Sequence, residues 1–478
     1  MEGPDVPAKI QDVLALMGTN GTLRAATFKE GITNPDFPSA LKAQARMEQL
    51  VQKHVASASD LPPLTTRHLQ TLIGLLQPTT RKSLVQEALG QRDPRKQSDA
   101  LLALGAGMKH LSDDQRKEVF DAAMTLGGES GRKAMQGLAR GFPHLSGDQQ
   151  GALLARAERY HQAAELDGIF PTIASHFPAL SLERQTQLHE LADRLRTQSP
   201  AAYNALLAAL SKHLPSIGST RTAEVFAALG NNATDTACRE ELFGHLVQQA
   251  GLLTQRQQTA LLDHALSLPV AGPHAGVGPR AEALALLGRH YDVLQPRIRN
   301  ALVRAITDPN VTPPGQIHHA ISGLGSQFDK VPSSVQGDLR RLAQTDPTQP
   351  APIGHAQLLE SLGHSFKALP VNTCDTVFEE ALNCRANDRY RALGGVVRAA
   401  QWLSMDQREA LVDAVEGLQS DDHIAHIASE HLSASAQFFT PEQRTRLYTK
   451  LGQIAPAAQL ATAIEMASNR PSALYKQG

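Results

Sequence analysis

The most constraining feature of this sequence is a phrase that recurs along the chain. It reads KHLSDDQRKEVFDAA from Lys109, QWLSMDQREALVDAV from Gln401 and QFFTPEQRTRLYTKL from Gln437. We call the third residue of the phrase the anchor, and successive anchors are 34 to 41 residues apart. The anchors are Leu76, Leu111, Leu145, Leu180, Ile217, Leu253, Leu294, Val331, Leu369, Leu403 and Phe439, with a weaker copy at Leu41. Self-similarity at such a period indicates a solenoid, in which each repeat is one supersecondary unit.

Each phrase carries the signals that start a helix. In five copies a Ser or Thr follows the anchor and a Gln lies three residues further on, as in Ser112 and Gln115. This is a capping box, in which the hydroxyl accepts from the third backbone N–H and the Gln side chain accepts from the backbone N–H of the cap. Proline takes the first helical position at Pro78, Pro296 and Pro441, where a backbone N–H is not needed. The phrase therefore predicts the first helix of each repeat.

The first helix has one buried face. The residue eight positions after the anchor is apolar throughout: Leu84, Val119, Leu153, Leu188, Val225, Leu261, Leu302, Leu339, Val377, Leu411 and Leu447. The residue twelve positions after it is apolar and usually small: Ala88, Ala123, Ala157, Ala192, Leu229, Ala265, Ile306, Ala343, Ala381, Val415 and Leu451. Because residues four apart share a helix face, these positions predict a core stripe, and the alanines allow a neighbouring helix to approach closely.

A second helix fills the rest of each period, as in AYNALLAALSKH from Ala202 and IAHIASEHLSAS from Ile424. A glycine often lies six residues before the next anchor, where we expect a left-handed cap at the carboxyl end of the helix. These glycines are Gly105, Gly288, Gly325 and Gly363. Three residues before the anchor the chain places another core residue: Met108, Phe142, Phe177, Leu214, Tyr291, Phe328 and Phe366.

The sequence therefore predicts an all-α fold, a right-handed α-solenoid (superhelix) of about twelve αα-hairpin repeats with a period near 36 residues. It predicts a continuous helical-repeat solenoid over residues 37–478, preceded by a divergent amino-terminal segment, residues 1–36, for which disorder is one expectation. From Leu41 to the end the pattern resembles HEAT/armadillo-like repeats. The tetratricopeptide signature is missing, and the AYNALLAAL segment, which is similar to the first helix of pentatricopeptide repeats, occurs once.

Composition narrows the class of protein further. The formal net charge is −1, so nothing overall attracts nucleic acid or an anionic membrane surface. Aromatic residues make up 4% of the chain, which suits closely packed helices better than β-sandwiches. The three cysteines, Cys238, Cys374 and Cys384, lack zinc spacing and are expected to be free thiols in a reducing compartment. We expect neither a membrane span nor a Sec signal peptide.

The sequence offers no catalytic motif: no GxSxG elbow, P-loop, HExxH or dinucleotide-binding fingerprint. We therefore expect no enzyme, no catalytic residues, no metal site, no cofactor and no small-molecule substrate. Histidines recur four residues before the anchor, at His176, His213 and His290, and the alternatives there are metal ligands or a polar ladder that caps carbonyls of the second helices; we favour the ladder. Asp422 and His426 lie one helical turn apart, but two ligands do not make a metal site.

Arginine recurs five residues after the anchor, in the first turn of the first helix. One interpretation is a row of guanidinium groups that pairs with carboxylates or phosphates of a partner. The other, which we favour, is solvation or pairing within the repeat with residues such as Asp406 or Glu442. The candidate binding residues of this row are Arg46, Arg81, Arg116, Arg299, Arg408 and Arg444.

Three consecutive repeats carry long Pro/Gly-rich loops between their two helices, namely 269–279, 308–315 and 346–354. Because they hold equivalent repeat positions, we expect them side by side on one edge, where solenoids often bind partners. Neutral drift of exposed turns is the alternative. The candidate binding residues in the loops are Pro273, His274, Pro313, Pro314, Pro350 and Pro352.

These features favour a non-enzymatic scaffold whose concave face and loops between the helices of a repeat bind another protein of unknown identity. The Ala/Gln/Arg/His/Leu-rich composition and degenerate long repeats also resemble repeat-containing type III secreted effectors of plant-pathogenic bacteria. That resemblance implies virulence, action on host proteins, and export from the cytoplasm into a host cell without a Sec signal peptide. The alternative is an RNA-binding helical-repeat protein, which would need a basic groove despite the neutral total charge and is therefore less favoured.

Overall fold

The computed structural model describes residues 73–74, 78–161, 168–231, 234–270, 277–345, 351–384, 388–432 and 435–451. Over these residues the fold is all-α and contains no β-strand. The first and second helices of the repeats alternate along the chain. We number all helices in chain order, so that first helices have odd numbers and second helices have even numbers.

The first helices of the repeats are α1 (Pro78–Gly90), α3 (Asp113–Thr125), α5 (Gly147–His161), α7 (Leu182–Gln198), α9 (Gly218–Gly230), α11 (Gln255–Ser267), α13 (Pro296–Thr307), α15 (Ser333–Leu342), α17 (Val371–Asn383), α19 (Met405–Glu416) and α21 (Pro441–Leu451). The second helices are α2 (Pro94–Ala106), α4 (Gly128–Arg140), α6 (Ile169–Ala174), α8 (Pro200–Leu210), α10 (Thr236–Gln248), α12 (Pro279–Arg289), α14 (Ile317–Gly325), α16 (His355–His364), α18 (Arg389–Arg398) and α20 (Asp421–His426), the last continued by a π-helix (Ile427–Leu432). This alternation confirms the predicted αα-hairpin repeat.

The described helices belong to two compact units. The first unit extends to Leu242 and the second starts at Phe243. Within each unit the helix pairs stack in chain order, as in an α-solenoid, and the second helices of successive repeats form the closest seams. The right-handed superhelix and the continuous solenoid over 37–478 stay predictions, and the segment 1–36 lies outside the described residues.

The predicted start and core face of the first helices are confirmed. All five capping boxes form, and in each of them the hydroxyl accepts from the third backbone N–H at 3.1 to 3.4 Å: Ser112, Ser146, Thr254, Ser404 and Thr440. The residues eight and twelve positions after the anchors are buried wherever the structure describes their side chains. The helices therefore start where the side chain of the cap replaces a missing backbone partner, and they bury the stripe that the spacing indicated.

A buried arginine joins two first helices in the first unit. Arg221 of α9 is 6% exposed. Its guanidinium donates to the backbone oxygen of His189 and to the carboxylate of Asp193, both on α7, at 2.6 and 2.7 Å. It also donates to Glu224 on its own helix at 2.6 Å. These charge-assisted bonds satisfy a cation that would otherwise be costly to bury.

Short 3₁₀ helices, which the sequence reasoning missed, follow most second helices. Met108–His110, Phe142–His144, Phe177–Ala179, Tyr291–Val293 and Phe366–Ala368 are examples. Each of these five begins with the core residue that lies three positions before the anchor, and that residue is buried. The tighter turn therefore directs one large apolar side chain into the core and leads the chain to the next anchor.

The prediction of left-handed glycine caps is wrong. Gly105, Gly288, Gly325 and Gly363 lie inside helices, and the described glycines with positive φ are elsewhere. A Cβ on Gly105 would lie 2.2 Å from the carbonyl carbon of Gly137, and a Cβ on Gly363 would lie 2.5 Å from that of Gly395. These glycines therefore serve close packing between successive second helices, because any side chain would meet backbone of the neighbour.

None of the described helices combines the length and apolar character that crossing a membrane requires.

Candidate functional site

The repeat position five residues after the anchor has a structural role that the sequence reasoning missed. Gln150 donates its side-chain amide to the carbonyls of Phe142 and Leu145, at 3.1 and 3.2 Å. Gln185 and Gln336 make the equivalent pairs of bonds in their own repeats. The side chain at this position therefore ties its own helix to the turn that precedes it, through the carbonyls of the anchor and of the core residue three positions before the anchor.

Arginines at this position also make contacts within the molecule. Arg299 donates from Nε to the carbonyl of its anchor, Leu294, at 2.8 Å, and its guanidinium lies 5.6 Å from the ring centroid of Tyr291. Arg116 pairs with Asp113 in the same turn, and Arg408 donates to the carbonyl of Phe438 in the next repeat.

The remaining arginines of the row are Arg46, Arg81 and Arg444. Arg81 and Arg444 are half-buried, and Arg46 lies outside the described residues. Binding by this row stays a prediction, since the guanidinium groups with described bonds are held by their own chain.

The three long loops lie next to one another where the structure describes them. Arg280 donates to the carbonyl of Leu268, just before the first loop, at 2.9 Å and to that of Val311 in the second loop at 3.2 Å. Gly354 ends the third loop with φ +83°, and a Cβ there would lie 2.5 Å from the backbone of His319, just after the second loop. These contacts place the three loops on a common edge of the second unit.

The candidate prolines differ in exposure. Pro314 is exposed, whereas Pro313 and Pro352 are half-buried. Pro273, His274 and Pro350 lie outside the described residues. Binding by the loops therefore stays a prediction. Of the candidate prolines that the structure describes, Pro314 is the most accessible.

The large apolar side chains that are exposed form a pattern that sequence reasoning missed. Six of the eight such residues in the described part of the chain occupy only two repeat positions, one before and two after the anchor: Leu182, Leu252, Val293, Val371, Trp402 and Met405. The other two, Val270 and Ile353, lie in the long loops. Aligning these two positions along the repeats would have found the pattern, because both flank the turn between repeats.

The second unit carries five of these six residues, which we call the inter-repeat edge: Leu252, Val293, Val371, Trp402 and Met405. Consecutive turns adjoin there, since a Cβ on Gly251 would lie 3.3 Å from the Cβ of Val293. Val371 is 79% exposed and Trp402 49% exposed. Apolar side chains gathered along one edge are typical of protein-binding surfaces, and tryptophan is enriched at binding hot spots.

The polar ladder between repeats is confirmed at three positions. His213 Nε2 lies 2.8 Å from the carbonyl oxygen of Ser175, and Gln327 donates to the carbonyl of Arg289 at 3.1 Å. His176 hydrogen bonds to the backbone of Arg140. Each acceptor lies in the preceding repeat, so the ladder joins neighbouring repeats. Burial lowers the pKa of His176, which keeps the imidazole neutral.

A cluster of histidines and one carboxylate lies among the second helices of the second unit. Glu360 of α16, His426 of α20 and His431 of the π-helix bring candidate ligand atoms to within 4.8 Å of one another. We call these three residues the Glu360 cluster. The sequence singled out His426 with Asp422, whose side chain lies outside those described. Glu360 was missed because it is far from the histidines in the chain.

The three cysteines are free, as expected. Burial raises the pKa of the Cys238 thiol to about 11, and burial also raises that of Cys374. A thiol with a raised pKa is a poor nucleophile because the thiolate is the reactive form.

Comparison with known proteins indicates no family. No protein-family model matches the sequence, and no curated protein matches it. Among solved structures, that of Kap121p is 13% identical, covers 91% of this chain and 46% of its own, and has a TM-score of 0.31. The karyopherin Kap121p bound to the extreme C-terminus of the protein phosphatase Cdc14p is 12% identical over 91% and 47% of the two chains, with the same TM-score.

An engineered protein is 12% identical over 94% of this chain and 100% of its own, with a TM-score of 0.28. The chain spans about half the length of the Kap121p chains that it matches. The assignment as an all-α solenoid rests on the stacked helix pairs described above.

Proposed function

We propose that this protein is a non-enzymatic scaffold that binds another protein through the inter-repeat edge of its second unit, with the long loops, which lie at the other end of the first helices, as a second candidate surface. The observation that carries the proposal is the confinement of exposed large apolar side chains to two repeat positions and the loops. Random surface exposure would scatter such side chains over every face of the helices.

The chemistry of the edge favours a protein partner. Trp402 and Met405 flank the same anchor, and both expose about half of their surface. A partner that covers them gains about 25 cal/mol for each Å² of apolar surface removed from water. Four of the five edge residues are aliphatic or methionine, and such side chains give no contact to phosphate, which dominates the affinity of RNA-binding proteins.

The non-enzymatic part of the proposal is supported by the chemistry of the thiols. Cys238 and Cys374 have raised pKa values because they are buried, so neither provides the reactive thiolate of a cysteine enzyme. A binding role requires no activated group, only a rigid array of exposed side chains, which stacked helix pairs supply.

The biological setting is a further part of the proposal and is supported by composition and repeat pattern alone. We propose that the protein acts as a type III secreted effector on host proteins. Its test is separate from that of binding: residues 1–50 are fused to a reporter and expressed in a bacterium with and without a working type III system. Secretion that requires the system supports the setting, and retention of the reporter in the cell contradicts it.

Binding is tested with a photo-crosslinking amino acid in place of Trp402 in the full chain, exposed to plant leaf extract. We expect one or a few protein adducts that survive nuclease treatment. The same probe in a variant with Val371→Ser and Met405→Ser should lose them, whereas Asp406→Ala, an exposed polar neighbour, should retain them. Adducts that nuclease removes, or that the double variant retains unchanged, would contradict a protein-binding apolar edge. Circular dichroism of each variant checks that its helices are intact.

A further inference from the structure

The Glu360 cluster joins two second helices across a third. Glu360 lies on α16, His431 lies in the π-helix, and α18 is between them in the chain. Glu360 Oε1 and His431 Nε2 are 3.7 Å apart. This approach depends on two consecutive glycines of α18: a Cβ on Gly394 would lie 2.5 Å from the His431 ring, and a Cβ on Gly395 would lie 2.6 Å from the Cα of Glu360. Larger residues there would separate the carboxylate from the imidazole.

The π-helix brings the two histidines together. His426 and His431 are five residues apart, and in an α-helix of 3.6 residues per turn such residues point about 140° away from each other. The wider turn of the π-helix over Ile427–Leu432 reduces that angle, and the two ring centroids are 5.3 Å apart. Single π-turns within helices are rare and occur frequently at functional sites.

Aromatic rings surround the cluster. Tyr390 stacks on His423 with ring centroids 4.1 Å apart and meets the edge of His426 at 5.0 Å. His364 contacts His431 from α16, with ring centroids 5.8 Å apart. His431 is 1% exposed, whereas His426 is half-buried, so the cluster is enclosed on one side and accessible on the other.

Two imidazoles and one carboxylate are a donor set that suits a transition metal. Zinc is bound by His nitrogen at about 2.0–2.1 Å and by carboxylate oxygen at about 2.0–2.2 Å, and two His with one Glu recur in zinc sites that keep an open fourth position. Calcium and magnesium prefer oxygen ligands and do not suit this set.

We propose that Glu360, His426 and His431 form a binding site for a divalent transition metal, with zinc as the ion that fits best. In a tetrahedral site the donor atoms are roughly 3.4 Å apart. The cluster, whose donor atoms lie within 4.8 Å of one another, therefore has to contract by little more than 1 Å, which side-chain rotations provide. Arg391 Nη1 lies 3.8 Å from Glu360 Oε2, and this cation has to yield to the ion.

The ion would tie the repeat of α16 to the repeat of α20 across the repeat between them. In a solenoid each repeat otherwise contacts only its neighbours, so a link between alternate repeats would make this region unfold more cooperatively.

The test uses the full chain, stripped with a chelator, dialysed and titrated with zinc chloride in a calorimeter at pH 7.5. We expect one zinc ion per chain with micromolar or tighter affinity and a raised midpoint of thermal unfolding. Glu360→Gln and His426→Ala should each weaken binding at least about tenfold. The control is His423→Ala, which removes the stacked neighbour but no proposed ligand and should keep the affinity. Cobalt should give visible absorption bands of a low-symmetry site in the wild type and in His423→Ala, but not in Glu360→Gln or His426→Ala.

Glu360→Gln removes the charge of a proposed ligand but keeps the size of its side chain. It therefore tests the site without a substitution at the more buried His431, which the fold could fail to tolerate. Failure of the wild-type chain to take up zinc would overturn the proposal. So would wild-type affinity in both Glu360→Gln and His426→Ala, because binding would then reside at other histidines. Equal loss in His423→Ala and His426→Ala would overturn the assignment of the ligands.

Discussion

The seam between second helices provides the sharpest test of the packing argument. Gly323 of α14 faces Ala285 of α12, and a Cβ on Gly323 would lie 1.8 Å from the carbonyl oxygen of Ala285. Two heavy atoms at van der Waals contact are roughly 3.5 Å apart, so the two helices would have to separate by more than about 1 Å. Because both surfaces at this point are backbone, no side chain can rotate away to relieve the contact.

We therefore expect Gly323→Ala to destabilise the second unit. Overpacking costs about 3 kcal/mol, at the upper end of its usual range, because backbone meets backbone. Alanine returns about 1 kcal/mol through its better helix propensity. The net loss is about 2 kcal/mol, and it should speed hydrogen exchange in α12 and α14 before other helices.

The matched control is Gly337→Ala. Gly337 lies inside α15, and a Cβ there meets nothing within 4 Å. The same substitution should therefore stabilise the protein by about 0.8–1 kcal/mol, so the two variants should differ by about 3 kcal/mol in urea denaturation followed by circular dichroism. Gly323→Ala with wild-type or greater stability would refute the close-packing role of these glycines, and so would an equal loss in Gly337→Ala.

Three other expectations concern stability. Ala192→Leu and Ala381→Leu should each cost about 1–3 kcal/mol through overpacking, and an unchanged thermal melt would contradict the fully buried positions of these alanines. Burial lowers the pKa of His318 and of His319 to about 4, whereas unfolded histidine titrates near 6.5. Between these pH values the two histidines are protonated in the unfolded chain but neutral in the folded chain. The free energy of unfolding should therefore fall by up to about 1.4 kcal/mol per pH unit and per histidine as pH drops from 6.5 towards 4. Urea midpoints across this range should show a shallower fall in His318→Gln. Arg221→Met should lower the free energy of unfolding by about 2 kcal/mol, because the backbone oxygen and the carboxylates that the guanidinium binds would lose that donor. An unchanged free energy of unfolding in urea would mean that these bonds contribute no net stability.

Local features of the fold could be predicted because their causes lie within one or two helical turns. The capping box of Ser112 and Gln115, for example, satisfies backbone groups three residues apart, and the structure forms it as the spacing indicates. The core stripe follows in the same way from residues four apart on one helix. The 3₁₀ turns were missed because the core residue that starts each of them reads equally well as the end of the preceding helix.

The candidate site could be predicted only in part. The arrangement of the three loops followed from their equivalent repeat positions, and Arg280 does bridge the first two. The exposed apolar edge was also present in the sequence, since its residues occupy two repeat positions, but exposure of an apolar residue is visible only once its neighbours are placed. Gly105 illustrates the same limit: a glycine near a helix end fits both a left-handed cap and a close contact, and only the neighbouring helix decides between them.

The sequence by itself determined that the chain builds paired helices at a regular period, because capping and core spacing act over a few residues of one chain segment. Only the tertiary structure decided that Glu360 meets His426 and His431, residues on helices two repeats apart. That meeting depends on the small bulk of two glycines in the intervening helix and on one wide helical turn. The glycines act by letting helices that are far apart in the sequence approach closely, and the local spacing of residues does not predict that distance.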